Sequence, residues 1–175
     1  VGNHLKNYDS MLMLSHFKGH QMGGFGGALK NMSIGVASAS GKAWIHTAGK
    51  TKNVKELWSN VAQQDHFLEA MAESCKSVID YMRGNILYIN VVNNLSVDCD
   101  CESNPEEPCM QDIGILASLD PVALDEACLD LVYNSKDPGR DHFVERVERQ
   151  NGRYIIPYAE SIGVGTKEYE LVSID

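Results

Sequence analysis

The sequence predicts an α/β domain, with a mixed, largely parallel sheet and helices packed on its faces. Strand-length apolar runs at Tyr8 to Leu14, Ile86 to Val92 and Ile113 to Leu119 are separated by segments of helical character. The longest of these, Asp65 to Arg83, repeats Phe67, Met71, Cys75, Val78 and Met82 at three- and four-residue intervals. Two of the strand runs break off into polar residues, Ser15 to His20 and Asn93 to Asp112. In open α/β sheets, ligands sit beyond the carboxyl ends of the strands. That placement brings the two polar segments to one expected site.

The elements follow in order. Tyr8 to Leu14 is a buried strand delivering His16 to its end. Gly23, Gly24, Gly26 and Gly27 form a loop, and Ala28 to Met32 starts a short helix closed near Gly35. Residues 38–53 are small and polar and read as a connection with little regular structure. Asp65 to Arg83 is a helix stopped by Gly84. Ile86 to Val92 is rich in β-branched and aromatic residues and forms a strand. A polar loop with Pro105 and Pro108 leads to the strand Ile113 to Leu119. Asp120-Pro121 supplies an N-cap and a first-turn proline, opening a helix that carries Leu124, Ala127, Cys128 and Leu131 and ends near Asn134. Helices at about 141–150 and 156–162 follow, with Tyr169 to Ile174 as a short final strand. On these helices Asp125 and Asp130 are expected to face solvent, as are His142 and Glu145. Cys75 and Cys128 lie on apolar faces and belong to the core.

The 175 residues suit one domain, 1–175, with no repeat or low-complexity tract. No apolar run approaches the roughly 20 residues needed to span a bilayer, and no secretory leader pattern opens the sequence. A net charge of −9 argues against nucleic acid or an anionic membrane as partner. Five cysteines, an odd number with three clustered at 99, 101 and 109, suit a reducing compartment better than a disulfide framework. The expected location is the cytoplasm.

Three groups of residues could carry chemistry. His16 and His20, four apart after a strand, suit a divalent metal through neutral imidazole nitrogens, and Lys18 between them suits an anion. The plainer alternative is a pair of loop histidines bonded to backbone. The run Gly23-Gly24-Phe25-Gly26-Gly27 with Lys30 invites anion binding by loop N–H groups at a helix start, using Lys18, Gly24, Gly26, Gly27 and Lys30. Neither a Walker A nor a dinucleotide-binding glycine pattern is present, and a tight turn is the alternative. Asp98-Cys99-Asp100-Cys101 is the most unusual run. Thiolates and carboxylates so concentrated repel unless a cation, a basic group or hydrogen bonds compensate. Cys99, Cys101 and Cys109 could give three ligands to zinc or an iron–sulfur cluster, with His16 or His20 as a fourth. Buried structural cysteines beside capping aspartates are the other reading. Alternation in an extended loop would send both cysteines one way and Asp98 and Asp100 the other.

The segments SHFKGHQMGGFGGALKNMSIG, ILYINVVNNLSVDCDC, DIGILASLDPVALDEACLDLV and AESIGVGTKEYELV closely resemble the domain of unknown function 362 family. Its members are often described as iron–sulfur cluster-binding proteins. The resemblance implies that His16, Lys18, His20, Gly24, Gly26, Gly27, Lys30, Asn31, Asp98, Cys99, Asp100 and Cys101 are motif positions. Many relatives carry a ferredoxin-like insert with Cys-x2-Cys-x2-Cys-x3-Cys-Pro runs between the equivalents of His46 and Asp65. Here that interval holds no cysteine, so no ferredoxin-type cluster motif is present. Relatives usually have sequence ahead of the Tyr8 to His20 match, and this chain is expected to be the C-terminal part of a longer family domain. An uncovered sheet edge could then pair with a partner or a second copy.

The leading expectation is a metal-binding protein of redox type from an iron–sulfur family. Its site would lie where the 16–20 and 98–101 loops meet, with Asp98, Cys99, Asp100, Cys101, His16 and His20 as candidate ligands for a divalent metal or a cluster. A redox partner or a homo-oligomer would accompany it. The alternative is an enzyme acting on a small anion held by the glycine-rich loop and the lysines, with His16 and Asp98 moving protons.

Overall fold

The computed structural model describes residues 1–174. Strand β1 (Met11–His16) pairs in parallel with β4 (Ile86–Val92), from Met11 opposite Ile86 to His16 opposite Val91. Between them run a small antiparallel hairpin of β2 (Lys18–His20) and β3 (Gly24–Gly26) and three helices. These are α1 (Ala28–Lys30), continued by π-helical winding over Asn31–Gly35, then α2 (Ala39–His46) and α3 (Gln64–Met82). Strand β5 (Gly114–Ser118) lies antiparallel on the far side of β4, giving the order β1-β4-β5. Helices α4 (Pro121–Tyr133), α5 (Arg140–Arg149) and α6 (Ile155–Ser161) complete the chain. The α/β class and the mixed sheet stand. The β4–β5 connection lacks a crossover helix, so β5 can only return antiparallel.

The long helix forms for the expected reason. Phe67, Met71, Cys75, Val78 and Met82 are all buried on one face of α3, and the chain leaves the helix through Arg83 and Gly84, both at positive φ. Asp120 caps α4, its Oδ1 accepting the Val122 and Ala123 N–H groups at 2.8 and 3.1 Å.

Four expectations fail locally. The strand expected to be buried over Tyr8 to Leu14 runs over Met11–His16 and is covered on one face only, leaving Leu12 and Leu14 exposed. Residues 38–53 contain α2, capped by Ser38, whose Oγ accepts the Gly41 N–H at 3.2 Å. Its helical signal is weak because only Ala43 and Ile45 are buried. The glycine run is partly strand, since Gly24 and Gly26 pair with His20 and Lys18. Residues 169–174 form no strand; Tyr169 instead donates its hydroxyl hydrogen to Asp130 at 2.9 Å.

Helices α1 and α4 pack over one sheet face, on Met13, Ser15, Ile86, Tyr88, Asn90 and Val92, with α3 packed on α1 and α6. The opposite face is a grid of cross-strand rows, Leu12 beside Leu87, Leu14 beside Ile89 and Ala117, and His16 beside Val91 and Ile115. Among the described residues it is bare, with Leu12 and Leu14 each 57% exposed and Ile115 71%. Such contiguous apolar surface is uncommon on a finished monomer. Ile115→Lys breaks the grid without touching the core. The melting temperature is expected to stay within about 2 °C, while fluorescence of a dye that binds exposed apolar surface falls. A melting temperature lowered as by a core substitution would show that this face is packed.

Candidate functional site

Parallel pairing of β1 with β4 carries both chains off the same sheet edge, and the two polar loops leave side by side. Phe17 N–H donates to Val91 O and Gly19 N–H to Ser96 O, at 2.9 and 2.8 Å. The approach at residue 19 is so close that a Cβ there would stand 2.2 Å from the Val97 carbonyl oxygen. Only glycine permits this contact, which fixes the 16–20 loop against the 96–101 loop.

The four residues from Asp98 to Cys101 then go three ways. Asp98 turns toward α5, where its Oδ1 accepts from Arg146 Nη1 at 2.7 Å and its Oδ2 from the Glu106 N–H at 3.1 Å. The same Arg146 nitrogen also donates to Val97 O at 2.8 Å. The guanidinium holds the Asp98 carboxyl below the usual carboxylate range. Asp100 turns toward the other loop, with Oδ1 2.9 Å from His16 Nδ1 and Oδ2 2.8 Å from Lys18 Nζ. Burial pushes its carboxyl up, but Lys18 and His16 more than offset this and the carboxyl stays low.

Cys99 and Cys101 share the third direction. Cys101 Sγ donates to Cys99 Sγ at 2.9 Å, and Lys30 Nζ donates to Cys99 Sγ at 3.5 Å. His20 joins them, so that one potential ligand atom from each of His20, Cys99 and Cys101 falls within 4.8 Å of the others. Cys99 is buried and Cys101 exposed. Burial alone would raise the Cys99 thiol; hydrogen bonds from His20 and Cys101 and the Lys30 charge bring it down to about 5. Burial and the neighbouring Cys99 sulfur push Cys101 up. The pair is therefore asymmetric, a thiolate beside a thiol.

The expected ligand set changes accordingly. His16 Nε2 lies 2.8 Å from Asn93 O and its Nδ1 faces Asp100, so neither ring nitrogen is turned toward an ion. Asp98 and Asp100 are engaged by cations of the chain itself. Cys109 points its Sγ at the Leu95 carbonyl, 3.2 Å away. Cys75 and Cys128 are core residues, with Cys75 donating to Leu29 O at 3.0 Å. Two thiols thus converge where a cluster of the usual kind needs four, and the residues present do not fit an iron–sulfur cluster.

The anion cradle at the glycine run also needs correction. Asp125, expected at the surface, is fully buried and occupies that position. Its Oδ1 accepts from Ala28 N–H and Asn90 Nδ2, at 2.8 and 2.7 Å, and its Oδ2 from Leu29 N–H at 2.9 Å. A Cβ on Gly27 would lie 2.3 Å from Asp125 Oδ1, so the turn is shaped around this carboxylate. The N–H groups an external anion would use already have an internal one. Lys18 is neutralised by Asp100, and Lys30 lies against Cys99. The sequence singles out neither Arg146 nor Asn90, and Asp125 only as a surface residue. Arg146 had a signal of sorts, since it lies beside Phe143 and Val147 on the buried stripe of α5.

What fold and site define is an α/β domain whose sheet edge gathers a vicinal thiol pair with a histidine and a lysine, a group able to hold a metal ion. The chain belongs to the family described as domain of unknown function (DUF362), whose model matches residues 1–130. The match covers everything from the chain start into α4 and leaves α5 and α6, with Arg146, outside. No curated protein and no solved structure matches the chain. No helix among the described residues is long and apolar enough to cross a membrane.

Proposed function

We propose that this chain is a metal-binding protein of redox type that holds one thiophilic cation on Cys99 and Cys101. The observation supporting this is the convergence of two thiol sulfurs and the His20 ring, beside an ammonium that offsets the charge of a bis-thiolate. Soft thiolate ligands select zinc, copper(I) or iron over hard cations. His20 plays a different part from the cysteines. Its Nδ1 accepts the N–H groups of Met22 and Gly23 at 3.2 and 2.9 Å. A histidine that binds metal ordinarily donates through its other ring nitrogen. Here that nitrogen must accept, which keeps the proton of the neutral ring on Nε2, the atom left for the sulfurs. His20 therefore serves the site chiefly as a donor to thiolate.

The test is cadmium titration of chelator-treated, reduced protein, read by thiolate-to-metal charge-transfer absorption and by elemental analysis after desalting. One retained equivalent is expected. Cys99→Ser and Cys101→Ser should each weaken retention at least about 100-fold, and His20→Ala no more than about tenfold, the scale of a supporting residue. No retained metal in the parent chain would overturn the reading. Equal losses for His20→Ala and Cys99→Ser would make His20 a full ligand.

A further inference from the structure

We propose that, when no metal is bound, Cys99 and Cys101 act as a dithiol that reduces a small hydroperoxide and closes to an intrachain Cys99–Cys101 disulfide. This activity does not depend on the metal reading, although it uses the same sulfurs. Three observations support it. The sulfurs stand 2.9 Å apart, so a closure of under about 1 Å reaches the disulfide bond length of about 2.05 Å. Lys30 Nζ stands 3.5 Å from Cys99 Sγ and His20 lies in the same cluster, which makes Cys99 the nucleophile and leaves Cys101 as the second thiol. Access is divided in the same sense, with Cys99 5% exposed and Cys101 open to solvent. A two-atom oxidant suits the first sulfur, and a bulkier reducing thiol suits the second.

The chemistry balances. Cys99 thiolate attacks one peroxide oxygen, the O–O bond breaks, and Cys99 becomes a sulfenic acid. The departing hydroxide takes a proton from the Lys30 ammonium, which solvent replaces, and leaves as water. Cys101 sulfur then attacks Cys99 sulfur; the S–O bond breaks, and the hydroxide leaving takes the Cys101 proton as a second water. Two sulfurs lose two electrons in total, and one peroxide is reduced to two waters. An external thiol attacks the exposed Cys101 sulfur and frees Cys99, and a second thiol then attacks that mixed disulfide, leaving as an external disulfide and returning the dithiol.

The experiment treats reduced, chelator-treated protein with hydrogen peroxide and follows each cysteine by peptide mass mapping. Cys109, half-buried on the same loop but without a cationic neighbour, is an internal control. Cys99 is expected to react at least about tenfold faster than Cys109, with loss of two hydrogens and a link between residues 99 and 101. Cys101→Ser should strand the sulfenic acid on Cys99, where a cyclic 1,3-dicarbonyl reagent traps it. Lys30→Met should slow the reaction about tenfold without moving the melting temperature. Equal rates for Cys99 and Cys109 would overturn the proposal, as would a trapped adduct on Cys101 or a link between two chains in place of the 99–101 bond. Metal retention on the same samples separates the two readings. A chain that holds no cadmium but closes 99–101 rejects the metal reading alone. A chain that holds cadmium, yet when metal-free oxidises Cys99 no faster than Cys109, rejects the dithiol alone.

Discussion

Replacing Asp125 with Ala lowers stability by about 3 kcal/mol, or about 10 °C in melting temperature for a chain of this size. The carboxylate is the common acceptor for Ala28 N–H, Leu29 N–H and the Asn90 side chain, so its removal strands two buried backbone donors and leaves Asn90 only the Cys128 sulfur. Each such loss costs about 1–3 kcal/mol. The sum is reduced because burial of the carboxyl is itself unfavourable and pushes it up to about 6. The sign of the pH dependence follows. Between an unfolded value near 3.8 and about 6, the folded carboxyl keeps its proton while the unfolded one has lost it. The Asp125 contribution to stability is therefore greatest below pH 3.8 and falls as pH rises through that window. Asp125→Asn removes this slope and keeps part of the bonding, but turns an amide N–H against one of the backbone donors. Thermal melts of the two variants between pH 3.5 and 7 check both points. An alanine variant as stable as the parent would mean that water replaces the carboxylate.

Arg146→Met has the opposite pH signature. The methionine keeps much of the packing on α5 and removes the cation from Asp98. Breaking a buried pair from one side costs about 3–5 kcal/mol, and this shallow loop site belongs at the lower end, about 3 kcal/mol. Because Arg146 depresses the Asp98 carboxyl, the contribution of the pair is present above pH 3.8 and is lost as pH falls through the still lower folded value. The gap between parent and variant should thus be widest near neutrality and nearly vanish at the acid limit. A gap independent of pH would mean that Arg146 stabilises through packing alone. The same variant frees the start of the thiol loop, so Cys99 should also become more open to alkylation.

Much of this architecture was legible in local pattern. Helix α3, strand β4 and the Asp120-Pro121 start of α4 carry periodicity or capping chemistry that packing reinforces, and they stand where expected. Helix α2 was hidden because small polar residues have weak preferences, and packing around Ala43 and Ile45 decides their state. The hairpin of β2 and β3 was hidden because glycine favours no strand on its own. At the site, both loops and the thiol pair could be read from residue types placed after strands. Which group faces which could not. That Asp100 takes His16 and Lys18, that Cys109 turns to a carbonyl and that Asp125 fills the glycine turn all depend on strand register and helix packing. Arg146 comes from a helix beyond the stretch that carries the motifs.

The contact of Gly19 with Ser96 and Val97 also ties the chemistry to the order of folding. Cys99 and Cys101 are neighbours in any conformation, but Lys30 is 69 residues away from Cys99, and the hydrogen bond of His16 with Asp100 spans 84. Both depend on a parallel strand pair that closes across the intervening hairpin and helices, and such non-local pairing is slow to find. A chain part-way through folding therefore carries two ordinary thiols, while the finished one carries a thiolate and its partner. Reactivity at Cys99 is a property of the completed topology, and the unfolded chain keeps only the sulfurs.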